Sequence, residues 1–256
     1  MSATLAFLGD FGEAFDFILH AREGRTGGAE VGGAHNLDLL WEHLKLCAVA
    51  MGLALAVALP VGLALGHSGR WSLLAISASN VGRAVPSVAL IALFVAFFAE
   101  TGEFTNVTLA LALLAIPPIL TNAYVGVQQV SRDAVDAARG MGLSGAQILR
   151  GIELPLALPL IFGGIKTSAV NVVATATVAP LVGVVTLGDP IISGTVYGRE
   201  GQIGASIIVA LVAVAVEVAL SAVQRAVTPT GVRLERGGPA EHPRLGIDKR
   251  RIQTVP

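Results

Sequence analysis

Residues 131–155, SRDAVDAARGMGLSGAQILRGIELP, form a charged and glycine-rich interruption between two long apolar stretches. Ser131 is a suitable N-cap for a short helix, and Gly140 and Gly142 are expected to break that helix. Ser144 is expected to cap a second short helix, which Pro155 ends before the next apolar run begins. The stretch therefore predicts a polar loop of two short helices between membrane-spanning segments.

The composition of the chain is that of a membrane protein. Of its 256 residues, 54% are hydrophobic and 14% are charged, whereas soluble domains carry about 25% charged residues. Several transmembrane helices would account for this excess of apolar residues. The formal net charge of −1 gives no electrostatic case for binding nucleic acid. Cys47 is the single cysteine, so an intrachain disulfide is excluded and no metal site is expected.

Five apolar segments are predicted to be transmembrane helices. They are residues 44–65, 85–99, 107–130, 156–185 and 203–227. Gly62 and Gly66, at the end of the first segment, have the spacing of small residues that allows close helix packing. The second segment follows an expected break at residues 80–86, and the third is expected to kink at Pro117-Pro118.

The N-terminal residues differ from these apolar segments. Residues 4–20 place apolar side chains at roughly helical spacing, but they are too short and too charged to cross a bilayer. They are predicted to form an amphipathic helix at the membrane interface. Residues 22–36 are rich in glycine and polar side chains, which predicts a linker.

The distribution of Lys and Arg predicts the orientation of the chain in the membrane. With five spans and residues 131–155 inside, the N-terminus lies outside and the C-terminus lies in the cytoplasm. The basic residues of the inside segments are then Arg70, Arg132, Arg139, Arg150, Arg233, Arg236, Arg244, Lys249, Arg250 and Arg251. Those of the outside segments are Arg22, Arg25 and Arg199.

The spacing within residues 131–155 resembles the EAA loop of ABC importer permeases. The matching positions are Asp136, Ala137, Ala138, Gly142, Ile152, Leu154 and Pro155. In that family the loop is cytoplasmic and its short helix docks in a cleft of the ATPase subunit, so the resemblance implies that these residues couple the chain to an ATPase. Asp136 stands where the family most often has Glu. The alternative is an ordinary amphipathic cytoplasmic loop.

A wider resemblance extends from about residue 39 to residue 227. Residues 41–70, 80–99, 111–130 and 135–179 are similar, in this order, to the osmoprotectant importer permeases for glycine betaine, choline, carnitine and proline betaine. AIPPILTNAYVGVQQV, residues 115–130, is the segment that other permease groups do not share. After Ala179 the group usually has a GLGGLGR-like stretch, which this chain lacks.

This resemblance implies an all-α, MetI-like type I ABC importer permease with about five transmembrane helices in the plasma or inner membrane. Its transmembrane domain would cover residues 39–227. Residues 1–38 would be the N-terminal helix and linker, and residues 228–256 a basic cytoplasmic tail. Two ATPase subunits, an external solute-binding protein and a second permease, either a copy or a homologous chain, would complete the complex.

The chain itself is not expected to be an enzyme. It contains no GxxxxGK[ST] phosphate-binding motif, no HExxH and no GxSxG. ATP and magnesium are therefore expected on the partner ATPase, with no cofactor bound by this chain. Two other functions remain open, namely an importer for another small solute such as an amino acid, and a secondary transporter, for which Glu217 is the available carboxylate.

Ionisable and polar side chains within the apolar segments form a second candidate site. Lys166 and Glu217 cost about 2.5–3.5 kcal/mol each at a helix centre, so neither is expected to face lipid. Their positions predict similar depths, and they are proposed to pair directly or through Arg83. The alternative is that each snorkels or finds a polar backbone group separately.

The helix that follows the loop also carries Asn171, Thr175 and Thr177. These side chains are candidates for lining a polar solute path, and the alternative is that the threonines bond their own backbone. The segment before the last span holds four further polar residues where an external binding protein could dock. They are Asp189, Tyr197, Arg199 and Glu200.

Overall fold

A computed structural model describes residues 2–28, 30–69 and 85–229, with the backbone alone for residues 2–8. Within these ranges the chain is helical apart from one short hairpin. The helices are α1 (Ser2–Leu19), α2 (His35–Ser68), α3 (Ser87–Phe97), α4 (Glu103–Gln128), α5 (Arg132–Gly140), α6 (Gly145–Ile148), α7 (Leu154–Ala176), α8 (Asp189–Ile192) and α9 (Gly194–Val227). Strands β1 (Ala21–Glu23) and β2 (Glu30–Gly32) pair antiparallel. A π turn (Leu149–Glu153) joins α6 to α7, and 3-10 turns cover Ala99–Thr101 and Ala179–Val182.

Four helices in the described ranges are long and apolar enough to cross a membrane, one fewer than the five predicted spans. They are α2, α4, residues 145–176 and α9. The predicted second span contains α3, whose 11 residues reach only about 16 Å at a rise of about 1.5 Å per residue. The hydrocarbon layer is about 30 Å thick. Pro86, in an extended conformation, sets the start of α3, and residues 70–84 lie outside the described part of the chain.

Helix α4 lies at the centre of the bundle and packs against α2, α3 and α7. Small buried residues recur every four positions along α2, at Ala50, Ala54, Ala58, Gly62 and Gly66. A Cβ on Gly62 would lie 2.8 Å from Leu120 O and from Ala123 Cβ. A Cβ on Gly66 would lie 2.7 Å from Val127 Cβ. The predicted close packing at these glycines is confirmed, because a side chain has no room there.

Proline does not end the helices that contain it. Helix α4 continues through Pro117-Pro118, and the hydroxyl of Ser168 donates a hydrogen bond of 2.8 Å to Ala115 O on the preceding turn. The prediction that Pro155 ends a helix is wrong, since the π turn runs directly into α7. A π turn widens the backbone, which reduces the clash between a proline ring and the carbonyl four residues earlier.

Helix α7 ends at Ala176, well before the predicted end of the fourth span at residue 185. The following segment folds back over the helix end, where the Thr186 hydroxyl donates a hydrogen bond of 3.1 Å to Ala176 O. A Cβ on Gly188 would lie 1.9 Å from Thr177 O, an approach that only glycine permits. Residues 177–185 read as an apolar run, but Pro180 stands at the start of a 3-10 turn there and Gly183 closes it with a φ of 86°, so local stop signals act together with the tertiary contacts.

The N-terminal residues form a folded unit against the first turns of α9. Helix α1 packs on α9, with Phe17 fully buried beside Gly201 and Gly204. The backbone N–H of Arg25 donates a hydrogen bond of 2.9 Å to Val196 O. The helix predicted for residues 4–20 is confirmed, but the linker predicted for residues 22–36 is wrong, because this segment contains the hairpin and the start of α2.

Candidate coupling loop and polar helix face

Residues 131–155 fold into a unit in which α5 packs against α6 and the π turn. Its apolar core is formed by Val130, Val135, Ala138 and Ile148, all buried. The loop therefore has an interior of its own, and its two short helices hold each other in place.

The turn between these helices depends on Gly142. Its φ of 84° lies in the left-handed region that favours glycine. The N–H of Gly142 donates to Arg139 O at 2.9 Å, and the N–H of Leu143 donates to Ala138 O at 3.2 Å. These two bonds are those of a helix end closed by glycine, so the predicted break after Gly140 is confirmed.

A serine precedes each short helix, as predicted, but the two differ in what they do. The N–H of Ser144 donates to Gln147 Oε1 at 2.8 Å, which is half of a capping box. Ser131 precedes α5 without a capping hydrogen bond from its side chain. Capping and the buried side chain of Ile148 therefore fix the second helix, while the first helix depends on apolar packing without a side-chain cap.

The residues predicted to contact an ATPase are divided between the surface and the interior of the loop. Asp136, Ala137 and Gly142 are exposed, and Asp136 forms an ion pair of 3.2 Å with Arg139. Ala138 is fully buried, so its small side chain packs within the loop and is not on the surface that an ATPase could contact. The remaining three are half-buried, namely Ile152, Leu154 and Pro155.

A buried carboxylate that sequence reasoning missed attaches the loop to the end of α2. Oε2 of Glu153 lies 2.5 Å from Nδ1 of His67. Next to this pair, the side-chain amide of Gln128 donates to Gly66 O at 2.5 Å. His67 and Glu153 are 86 positions apart, so no local sequence pattern points to their contact.

One face of α7 lines two cavities. The first, of about 430 Å³, includes Thr167, Asn171 and Thr175 in its wall. The second, of about 450 Å³, lies between α7 and α9 and is lined in part by Lys166 and Glu217. Thr167 and Asn171 line both cavities. The predicted path residues Asn171 and Thr175 therefore belong to one polar strip along α7.

The direct ion pair predicted between Lys166 and Glu217 is not formed. Both side chains line the second cavity, but Nζ of Lys166 donates to Ser221 Oγ at 3.3 Å. The ion pairs within the described part of the chain do not join Lys166 to Glu217. Ser221 lies one helical turn beyond Glu217 and supplies the polar partner instead. Arg83, the predicted bridge, lies outside the described residues.

Thr177 follows the alternative interpretation of the membrane threonines. Its hydroxyl donates a hydrogen bond of 2.6 Å to Ala174 O, and that of Thr167 donates to Gly163 O at 3.0 Å. Both hydroxyls therefore satisfy themselves on their own helix. Thr177 lies just past the end of α7, where it supports the helix terminus.

Three residues predicted to face an external protein are engaged by the N-terminal unit. Glu200 forms ion pairs with Arg22 at 3.3 Å and with Arg25 at 2.9 Å. Arg199 pairs with Asp10 at 3.1 Å, and the ring of Tyr197 packs edge-to-face on Phe17. Glu200 is therefore buried by residues of the same chain, whereas Tyr197 is half-buried and Arg199 stays exposed.

The fourth residue of that set, Asp189, accepts a hydrogen bond of 3.0 Å from the N–H of Thr186. Burial raises the pKa of its carboxyl above the usual value, although the Thr186 N–H and nearby His35 act to lower it.

Across the described residues, no group of three or more His, Cys, Asp and Glu side chains is placed to hold a metal ion.

Comparisons with known proteins show the family to which the chain belongs. The family described as "Binding-protein-dependent transport system inner membrane component" matches residues 52–230. The carnitine transport permease protein OpuCB of Listeria monocytogenes is 35% identical over 206 residues, covering 80% of this chain and 94% of that protein. The glycine betaine/carnitine/choline transport system permease protein OpuCB of Bacillus subtilis (strain 168) is 32% identical over 205 residues, with the same coverage of 80% and 94%.

The fold also has solved relatives. The methionine ABC transporter MetNI, in an inward-facing conformation, contains a chain that superposes with a TM-score of 0.68 at 20% sequence identity. The match covers 76% of this chain and 96% of that chain, which establishes the predicted MetI-like fold. The sequence match at 52–230 begins within α2 and includes the loop and α9. The chain therefore belongs to the binding-protein-dependent transport system inner membrane components, the permease subunits of ABC importers.

Proposed function

We propose that this permease imports osmoprotectants such as glycine betaine, carnitine and choline, using ATP hydrolysed by a separate subunit. The observation that carries the proposal is the loop of residues 131–155. It folds around its own core at one end of α2 and leaves Asp136, Ala137 and Gly142 on its surface. The solute class is supported by the similarity of this chain to permease proteins for carnitine and for glycine betaine, carnitine and choline.

The exposed part of α5 is the docking surface for the ATPase. Asp136 presents a carboxylate that is only partly engaged by Arg139, and both side chains are more than half exposed. Ala137, next to Asp136, allows close approach because its side chain is small. A surface ion pair of this kind adds little stability, about 0–1 kcal/mol, so it can be exchanged for contacts with a partner.

The solute path lies along the polar strip of α7. Asn171 and Glu217 are exposed in the single chain, and a charged side chain at the bilayer centre costs about 2.5–3.5 kcal/mol on insertion scales. These groups therefore require a cover that is not lipid. A second permease, either a copy of this chain or a homologous one, would cover the strip and enclose a path between the two subunits.

The N-terminal unit and the loop contact opposite ends of α2, whose 34 residues extend over about 51 Å. If the loop contacts the ATPase in the cytoplasm, the hairpin and α8 lie on the external side of the membrane, where a solute-binding protein releases its solute. The whole chain has only two Trp and two Tyr. A quaternary ammonium ion is held by a cage of aromatic rings, so we place that cage on the binding protein.

The docking part of the proposal is tested with Gly142→Asp in the complete complex. Aspartate at a φ of 84° costs about 1–2 kcal/mol of backbone strain and adds bulk to the exposed turn. We expect solute-stimulated ATP hydrolysis to fall about tenfold or more while membrane insertion is unchanged. Gly140→Ala is the matched control, since its new Cβ meets nothing within 4 Å and its φ is not positive. Full stimulation in Gly142→Asp would contradict docking at the loop.

The solute is tested by uptake of radiolabelled glycine betaine into proteoliposomes that contain the complete complex. Competition by choline and carnitine, but not by amino acids, is the expected result. Competition by amino acids alone would support the other importer hypothesis. Uptake by this chain without an ATPase would support a secondary transporter and overturn the proposal.

A further inference from the structure

The imidazole of His67, in the last turn of α2, lies between the start of α6 and the end of the π turn. Its Nδ1 is 2.5 Å from Oε2 of Glu153, at the end of the π turn. On the other side of the ring, a Cβ built on Gly145, at the start of α6, would lie 3.0 Å from Nε2. Helix α6 and the π turn therefore both contact the side chain of His67 on α2.

The pair lies where three elements meet. The Glu153 side chain is only 7% exposed, and that of His67 is 27% exposed. Arg132 and Arg139 of α5 line the same small cavity as the pair. A buried carboxylate needs a hydrogen-bond partner to replace its lost hydration, and His67 is the partner of Glu153, so this contact fixes the position of the imidazole.

Chain connectivity gives this contact its importance. The loop is joined directly to α4 through residues 129–131 and to α7 through the π turn. A displacement of the loop reaches those two helices through the backbone. Helix α2 is not joined to the loop by adjacent backbone. A direct displacement of the loop therefore reaches the last turn of α2 through side-chain contacts.

We propose that His67 and Glu153 are positioning residues that transmit movement of the loop to α2. The inference rests on the proposed function, since it takes the loop as the place where the ATPase acts. Gly62 and Gly66 hold α2 against α4, and the pair adds a direct contact between the last turn of α2 and the loop. Without the pair, the ATPase still hydrolyses ATP, but the last turn of α2 follows the loop less closely and less solute crosses per ATP.

The test uses the complete complex in proteoliposomes and compares three variants with the wild type. His67→Phe keeps a ring beside Gly145 but cannot bond to Glu153. The double variant His67→Phe/Glu153→Leu also removes the unpaired carboxylate. Glu42→Gln is the matched control, because it removes a carboxylate from a surface ion pair of 2.8 Å with Lys45 near the other end of α2.

Two measurements are made on each complex. The first is uptake of radiolabelled glycine betaine and choline per ATP hydrolysed. The second is hydrogen exchange of residues 61–69, with and without a non-hydrolysable ATP analogue. For both His67 variants we expect hydrolysis near the wild-type rate, uptake per ATP lower by about five- to tenfold, and no exchange response to the analogue. Glu42→Gln is expected to match the wild type in both measurements.

Three results would overturn the inference. They are recovery of uptake per ATP in the double variant, equal loss of hydrolysis and uptake, and a wild-type exchange response in His67→Phe. If His67→Phe does not assemble, Gly145→Ala decides in the same way, because it presses on the ring while keeping both partners. A different result would refute only the osmoprotectant proposal, namely a wild-type complex whose hydrogen exchange responds to the ATP analogue but which takes up neither glycine betaine nor choline. In that case the comparison of hydrogen exchange between wild type and variants still decides the role of the pair.

Discussion

Single residues at the two ends of α2 show the same solution to burying a charge. Glu153 is buried beside His67 at one end, and Glu200 is buried between Arg22 and Arg25 at the other. A carboxylate removed from water is tolerated when hydrogen bonds or cations replace its hydration, and here Glu153 has the His67 imidazole as its partner while Glu200 has two guanidinium groups. Each carboxylate therefore ties a segment outside the membrane helices to the bundle.

The pairing at Glu200 predicts a loss of stability in Glu200→Gln. The amide keeps the shape of the side chain but removes the charge that both arginines face, so we expect the free energy of unfolding to fall by about 1–3 kcal/mol. The measurement is the thermal unfolding midpoint of the purified chain in detergent. Arg199→Gln is the control, because its pair with Asp10 is largely exposed at Arg199 and is worth about 0–1 kcal/mol. Equal midpoints for the two variants would contradict the assigned role of Glu200.

Whether a charged residue can be recognised as a candidate site from the sequence depends on the residues next to it in the chain. Lys166 and Glu217 are conspicuous because they interrupt apolar runs, where a charge needs a reason, and both do line one cavity. Glu153 and Glu200 stand in polar stretches, where a carboxylate is ordinarily solvated. Their burial depends on partners 86 and 175 positions away, which no local pattern reveals.

Helices and turns were predictable where local physics decides them. The glycine-closed end of α5 and the capped start of α6 follow from Gly142 and Ser144. The ends of α7 were not predicted, because the apolar run concealed the stop signal at Pro180, Thr186 caps the last turn from outside the helix, and the π turn admits Pro155. Helix boundaries set by tertiary contacts are thus the part of the fold that the sequence alone leaves open.

The packing of α2 on α4 predicts opposite outcomes for two glycines of the same helix. Gly62→Ala would place a methyl group 2.8 Å from the α4 backbone, so the helices must separate, at a cost of about 1–3 kcal/mol. Gly52→Ala adds its methyl group where nothing lies within 4 Å, and alanine is the better helix former by about 1 kcal/mol. The expected result is a lower unfolding midpoint for Gly62→Ala and an equal or higher one for Gly52→Ala. A shared response would mean that the two helices do not pack as described.

At the scale of the whole molecule, the chain is a membrane bundle with a folded unit at each end of α2. The loop unit lies within the family match at 52–230, whereas α1 and the hairpin precede it. The N-terminal unit is nonetheless integrated with the bundle. Phe17 fills the space beside Gly201 and Gly204, and Asn36 donates a hydrogen bond of 3.2 Å to Phe17 O.

The placement of these units predicts the topology of the chain. In a Cys47→Ala background, Glu30→Cys marks the hairpin and Ala146→Cys marks the loop, and both positions are exposed. A membrane-impermeant maleimide should label Glu30→Cys in intact cells and Ala146→Cys only after permeabilisation, because α2 separates the two units by about 51 Å. Wild-type Cys47 is buried, so the cysteine-free background should leave the fold and the control signal unchanged. Labelling of Ala146→Cys in intact cells would place the loop outside, beyond the reach of any cytoplasmic ATPase, and would refute the mechanism of coupling.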